Sequence, residues 1–352
     1  MVGEGDQAAA AVEEVVSPSS GGSSSVAQVA ASESPTRRRR AGWTSYGVAL
    51  VTLGLFVLFS ITNTSTFFTV ANVQIIAGSN SIALLAALAA LAPLVAGEFD
   101  LSVGSVLEAS SVLVAVAVGE KGWNPLLGIA AATVLGCLIG LLNGILVTKV
   151  RISSFIATLG VGSVVSALSL YLTHGQILFQ GIPVSLRNFS QNNVVGVPII
   201  AIVALAFAVV GWVVLEKTVY GRRLLATGLA RQASELMGIK TKRMVLSSFV
   251  ISGGIAATAG WIQLGHVGSA STGISATFLL PALTAGFLGA TTIKVGRFNV
   301  AGTVLAVALV AIGVSGLELN GAPNWVIPLF DGAVLLAAVG VSRLSAKGRA
   351  AR

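Results

Sequence analysis

Two long stretches of this chain carry no charged side chain, one between Arg40 and Glu98 and one between Arg243 and Lys294. A water-soluble fold cannot hold such stretches, because its surface elements need polar side chains along their solvent faces. A helix that crosses a bilayer needs the opposite, about 20 consecutive apolar residues. The rest of the chain agrees. Hydrophobic residues make up 55% of it and charged residues 10%, where soluble domains carry about 25% charged residues. This balance excludes most soluble enzymes and nearly all nucleic-acid binders. The 41 glycines and the runs of Ala, Leu and Val point to an all-α polytopic membrane protein. The single cysteine, Cys137, rules out an intramolecular disulfide framework.

Apolar segments fall at 46–61, 74–97, 103–118, 126–148, 154–173, 197–215, 245–266, 276–293, 299–317 and 325–342. Each is near the length of a membrane-spanning helix, the first and third being short. The net charge of +8 reads as an orientation signal, because the basic residues cluster at the flanks of these segments. With the amino terminus in the cytoplasm, only Lys121 and Arg187 of the 21 lysines and arginines fall outside. Both termini are therefore expected inside. Ten spans divide into two five-span halves, and an odd-numbered tandem repeat gives inverted halves, a common transporter plan. No sequence match between 46–173 and 197–342 supports the repeat.

The expected organisation has three parts. Residues 1–40 form a disordered cytoplasmic tail ending in Arg37–Arg40, residues 41–342 a transmembrane domain, and residues 343–352 a second cytoplasmic tail. The first span reads as uncleaved, because the region before it is about twice the usual length for a signal peptide and no small-residue cleavage site follows.

Catalytic and cofactor motifs are absent. The two histidines, His174 and His266, have no metal-ligand spacing. No Gly-Lys pair exists, so this chain has no phosphate-binding loop and no ATP site of its own. Gly136, Gly140 and Gly144 follow small-xxx-small spacing and suit close helix packing.

The stretch Gly97-Glu98-Phe99-Asp100-Leu101-Ser102-Val103-Gly104-Ser105 places two carboxylates between apolar runs, with no basic residue near in sequence. Such charges face protein or a watery cavity. Asp100 or Ser102 would serve as a helix N-cap, or Asp100 would line a solute path. Glu108, near Ser105, Ser110 and Ser111, is either a hydrogen-bonded structural acid or a cavity-lining acid that meets solute hydroxyls. Asp331 is a lone acid in the last span. Trp43, Trp123, Trp212 and Trp325 fall at span ends, as an interfacial belt requires. Trp261 lies about one turn deeper, for packing or for stacking on a sugar ring. The acids Glu98, Asp100, Glu108 and Asp331 also leave open an ion-coupled secondary transporter.

The segment 216–244 is the largest inner loop. Within it, Leu229, Ala233, Leu236 and Met237 repeat at helical spacing, and Gly238 fits a C-terminal cap. A helix over roughly 229–237 is too short to stand alone in water. It needs either the membrane interface or a groove on a cytoplasmic partner.

These residues resemble the permease subunits of bacterial ABC importers for ribose, xylose, galactosides and related monosaccharides. Gly97–Ser105 is similar to that family's G-G-[IL]-D-L-S-V-G-S motif. Gly140-Leu141-Leu142-Asn143-Gly144 and Ile152–Gly160 resemble its next blocks. Tyr220-Gly221-Arg222, Ala226, Gly228 and Gly238-Ile239 resemble its cytoplasmic coupling loop, and Ser252-Gly253, Ala259-Gly260 and Gly296–Thr303 continue in order. Three positions depart from the pattern: Glu98 replaces a Gly, Ala230 replaces an Asn, and Leu280–Thr292 lacks the usual acidic residue and Gly-Gly pair. The candidate solute path comprises Glu98, Asp100, Ser102, Glu108, Asn143 and Trp261. The candidate ATPase-coupling residues are Arg222, Gly228 and Gly238, which the resemblance covers, and Arg231, Ala233, Glu235 and Met237 of the loop helix. The resemblance implies that such a loop meets an ATPase. It also implies a second permease chain, identical or related, a cytoplasmic ABC ATPase that binds ATP and Mg, an extracytoplasmic sugar-binding protein, and a place in the bacterial plasma membrane lipid. No nucleic acid is expected. Branched-chain amino acids are the alternative substrate class within the same superfamily.

Overall fold

A computed structural model describes residues 47–67 and 69–350. The expected amino-terminal tail 1–40 and Trp43 lie outside the described residues. The described residues are helical nearly throughout. In order come α1 Gly47–Thr62, α2 Val70–Val95, α3 Val103–Val114, α4 Pro125–Ile145, α5 Ser154–Thr173, α6 Val184–Gln191, α7 Ile199–Trp212, α8 Val219–Leu229, α9 Arg231–Leu236, α10 Thr241–Val267, α11 Ser275–Gly289, α12 Val300–Leu319 and α13 Val326–Ala350. Two-residue strands at Asn193–Val194 and Val197–Pro198 pair antiparallel ahead of α7.

Among the described residues, seven helical stretches are long and apolar enough to cross a membrane, and α1, α11 and the start of α13 are shorter apolar helices. Together they coincide with the ten apolar segments of the sequence. The eighth ends early: α11 stops at Gly289 and the chain turns through 290–297 before Asn299 caps α12 by accepting the Gly302 amide. Three spans, α3, α4 and α7, end in π-helical turns at 115–120, 146–150 and 213–217. At the last span, α13 stays helical to Ala350, through the stretch expected as a tail from 343.

The core is built from α2, α3, α10, α11 and α12 and is rich in alanine. Small side chains let helix backbones approach, which is how helices associate where no hydrophobic force separates them from lipid. Gly136 and Gly140 of α4 lie against the backbone of α10; a Cβ at either would overlap the carbonyl oxygens of Gly253 and Phe249. Trp123 and Trp325 are exposed at span ends. Trp212 ends α7, with the Lys217 ammonium 5.0 Å from the centre of its ring.

The orientation expectation has a direct check. Val195, 98% exposed beside the two short strands, and Met237, 83% exposed after α9, lie in segments expected on opposite sides of the membrane. Single cysteines at these positions in a Cys137→Ser background should differ in labelling of intact cells by an impermeant thiol reagent. Val195→Cys is expected to react and Met237→Cys to stay unlabelled until the cells are opened. The reverse pattern would invert the layout.

Candidate functional site

Irregular segments join two pairs of spans: 96–102 between α2 and α3, and 268–274 between α10 and α11. Irregular backbone at membrane depth is tolerated only where it is buried in protein or lines a watery cavity. Both segments must satisfy backbone groups that helices would otherwise pair.

In the first break, Gly97 takes a left-handed φ of +82° that a side chain would strain. The freed amides find hydroxyls of α5. Phe99 N–H donates to Ser154 Oγ at 3.1 Å, and Leu101 N–H to Thr158 Oγ1 at 3.0 Å. Asp100 is buried. Its Oδ1 accepts from the Ser102 amide at 2.9 Å and the Ser102 hydroxyl at 2.6 Å, and its Oδ2 from the Ser252 hydroxyl of α10 at 2.7 Å. Asn143 of α4 donates to Ser102 Oγ at 2.8 Å. Asp100 therefore ties the break to α10 and, through Ser102, to α4. Ser102 occupies the N-cap position of α3 and makes no side-chain capping bond there.

The second break meets α3. Glu108 is fully buried, and its Oε2 accepts the amides of Gly273 at 2.8 Å and Ser275 at 3.2 Å. Its other oxygen is buried without a partner among the described residues. A carboxylate at the start of α11 is favoured by the free amides and the helix dipole there. Gly104 is what allows this approach: a Cβ on it would overlap the Ser275 carbonyl oxygen. The starts of α3 and α11 thus touch inside the protein. One turn along, Ser166 of α5 donates to Ser105 Oγ at 3.1 Å.

Three other side chains lie elsewhere. The Trp261 ring is covered by Phe189 of α6, with centroids 5.9 Å apart. Asp331 lies on α13, its Oδ1 buried without a partner among the described residues. Glu98 turns toward the opposite end from Trp261 and pairs with Arg231 of α9 at 3.0 Å.

That pair belongs to the loop 216–244, which differs from its sequence expectation. In place of one helix over 229–237 there are two, α8 and α9. Ala230, with φ −153° and ψ 80°, breaks the hydrogen-bond ladder between them. Leu229 therefore ends the earlier helix and does not share a stripe with Ala233. The left-handed Gly238, φ +79°, follows α9 as expected. Leu229, Ala233, Leu236 and Met237 are all exposed. Arg222 reaches the Lys217 carbonyl at 3.4 Å, and Glu235 accepts from the Thr241 hydroxyl. Behind this exposed surface, Gly228 rests backbone to backbone on residues 95–97. Tyr220 of α8 sits 2.9 Å from Ser247 Oγ of α10, and burial pushes its phenol above the ordinary range.

The structure thus joins Asp100, Ser102 and Asn143 in one network and Glu98 with Gly228 and Arg231 in another. Ser154, Thr158 and Ser252 hold the first network and were not among the expected site residues. Ser154, Thr158 and Ser166, with Gly162 between, form an i, i+4 series along one face of α5. A polar face on an otherwise apolar span is the sequence signal that points to them.

Residues 72–339 match the family model described as "Branched-chain amino acid transport system / permease component". The chain is 33% identical over 248 residues to the ribose import permease protein RbsC of Bacillus subtilis (strain 168), covering 70% of this chain and 77% of that protein. It is 31% identical over 270 residues to the fructose import permease protein FrcC of Rhizobium meliloti, covering 74% of each. It is also 31% identical over 254 residues to the autoinducer 2 import system permease protein LsrD of Escherichia coli (strain K12), covering 70% of this chain and 76% of that protein. No solved structure matches the chain.

Proposed function

This chain belongs to the branched-chain amino acid transport system / permease component family, and we propose on that basis that it is the permease subunit through which a bacterial ABC importer moves a monosaccharide into the cell. The partners in this reading are a second permease chain, a cytoplasmic ABC ATPase that binds and hydrolyses ATP, and an extracytoplasmic binding protein that delivers the sugar. Ribose, fructose and autoinducer 2 in the names of the relatives support a small hydroxylated solute over a branched-chain amino acid.

The observation that carries the mechanism is the contact between the loop helices and the first break. Leu229, Leu236 and Met237 offer exposed apolar side chains for an ATPase groove. Directly behind them, Gly228 and Arg231 touch the segment that leads to Asp100. A displacement of α8 and α9 by the ATPase therefore reaches the joined starts of α3 and α11 through packed backbone. Packed elements with two discrete arrangements carry coupling of this kind. Glu98, Asp100, Ser102, Glu108 and Asn143 would line or shape the path as it rearranges.

The test is Ala233→Arg. Placing an unpaired charge in a docking groove costs on the order of 2–5 kcal/mol. The variant should insert and fold yet fail to co-purify with its ATPase. Co-purification and sugar-stimulated hydrolysis at the wild-type level would remove α9 from the interface.

A further inference from the structure

At the end of the molecule remote from α8 and α9, α2 and α12 enclose a groove of about 410 Å³ in which the polar Asn72, Ser79, Asn80, Ser315 and Glu318 alternate with an equal number of apolar side chains from the same two helices. α2 starts at Val70 and α12 ends at Leu319, so the groove follows their outer halves if the loop helices face the cytoplasm. Asn80 lies ten residues along α2, about 15 Å from its start at 1.5 Å per residue. This is a mid-membrane depth.

The polar groups here are underused. Asn80 Nδ2 donates to its own helix at Ile76 O, 3.0 Å away, and its Oδ1 has no partner among the described residues. Asn72 Nδ2 donates to Phe67 O at 2.8 Å, and its Oδ1 has only a 3.5 Å contact with Ser315 Oγ. Ser79 and Glu318 are exposed, and their side chains make no hydrogen bond among the described residues. Ser79 and Asn80, at mid-span depth, would be costly facing hydrocarbon, whereas a water-filled path needs such groups; Asn72 and Glu318, in the first turn of α2 and the last turn of α12, stand at its mouth. Among the described residues, the groove's lining has no lysine, arginine or histidine. A solute carboxylate would find no cation and would face Glu318, while sugar hydroxyls can both donate to and accept from these groups.

We infer that the α2–α12 groove is an outer contact site for a neutral polyhydroxylated solute, with Asn80 as its deepest polar contact, and that it disfavours amino acids. This rests on the importer reading above.

The experiment uses the complete importer, permease with ATPase and binding protein, in vesicles that take up labelled D-ribose, D-fructose or L-leucine. Asn80→Leu should fold to normal yield and lower sugar uptake about tenfold, the worth of one well-made hydrogen bond to a solute. Asn80→Gln, which keeps the amide, should retain more of the rate. In a Cys137→Ser background, Ser79→Cys should react with an impermeant thiol reagent added outside, which decides the matter should Asn80→Leu fail to fold. Wild-type sugar uptake by Asn80→Leu, or a Ser79→Cys that only membrane-permeant reagents reach, overturns the groove and leaves the importer standing. A wild-type complex that takes up L-leucine and neither sugar overturns the monosaccharide reading and this inference together.

Discussion

Glu108→Ala is expected to destabilise the protein by about 2–6 kcal/mol, because the amides of two partly buried hydrogen bonds lose their acceptor and each group left unsatisfied costs about 1–3 kcal/mol. Those amides, at Gly273 and Ser275, open α11 where it meets α3. Against a total stability of about 5–15 kcal/mol for a folded domain, the loss should appear as a lower unfolding temperature and poor yield in detergent. Glu108→Gln keeps a carbonyl oxygen that can accept both amides. It should recover most of the stability and forfeit only the charge–dipole part, about 0.3–2 kcal/mol. Thermal unfolding of the three proteins in one detergent is the measurement. If Glu108→Ala unfolds at the wild-type temperature, the carboxylate does not hold the second break. An uptake defect in that stable variant would then place Glu108 in direct contact with solute.

Gly228→Val should uncouple transport with a smaller effect on folding. Any Cβ at this position overlaps the Val95 carbonyl oxygen and crowds the backbone of Ala96 and Gly97. Backbone cannot rotate out of the way as a flexible side chain can, so α8 must withdraw from α2. Overpacking of this kind costs about 1–3 kcal/mol. The strain falls on one contact at the membrane edge, and withdrawal also separates Arg231 from Glu98. The spans, whose core lies among α2, α3, α10, α11 and α12, should still assemble. With ATPase and loaded binding protein present, uptake should fall more than tenfold while the ATPase stays bound. Gly228→Ala, with one methyl, should show a weaker form of the same defect. Normal uptake by Gly228→Val would mean that force reaches the membrane interior by another route.

These two positions divide sharply in how far the sequence discloses them. Gly228 stands in a run that resembles a coupling loop, so the sequence offers it as a coupling candidate. That it rests on residues 95–97, more than 100 positions earlier, was not legible. Glu108 was legible as an acid in an apolar span with two open readings, structural or path-lining. Its bonds to Gly273 and Ser275 lie 165 and 167 residues away in sequence.

The sequence by itself determined the number and placement of the apolar segments, the charge asymmetry of their flanks, and the small-residue spacing of Gly136, Gly140 and Gly144 along α4, though not that α10 is what packs there. Each is a local quantity. Insertion in a bilayer depends on the hydropathy of one segment at a time, and close packing at a seam needs only small residues at the right spacing. The tertiary structure alone decided which group answers each buried polar atom: Ser252 for Asp100, α5 hydroxyls for the amides of the first break, Arg231 for Glu98. It also decided where the loop helix divides, since Ala230 carries no sequence signal strong enough to end a helix. Hydrogen bonds inside a membrane protein are made between segments far apart in the chain, and the partner of each is chosen by how the helices pack.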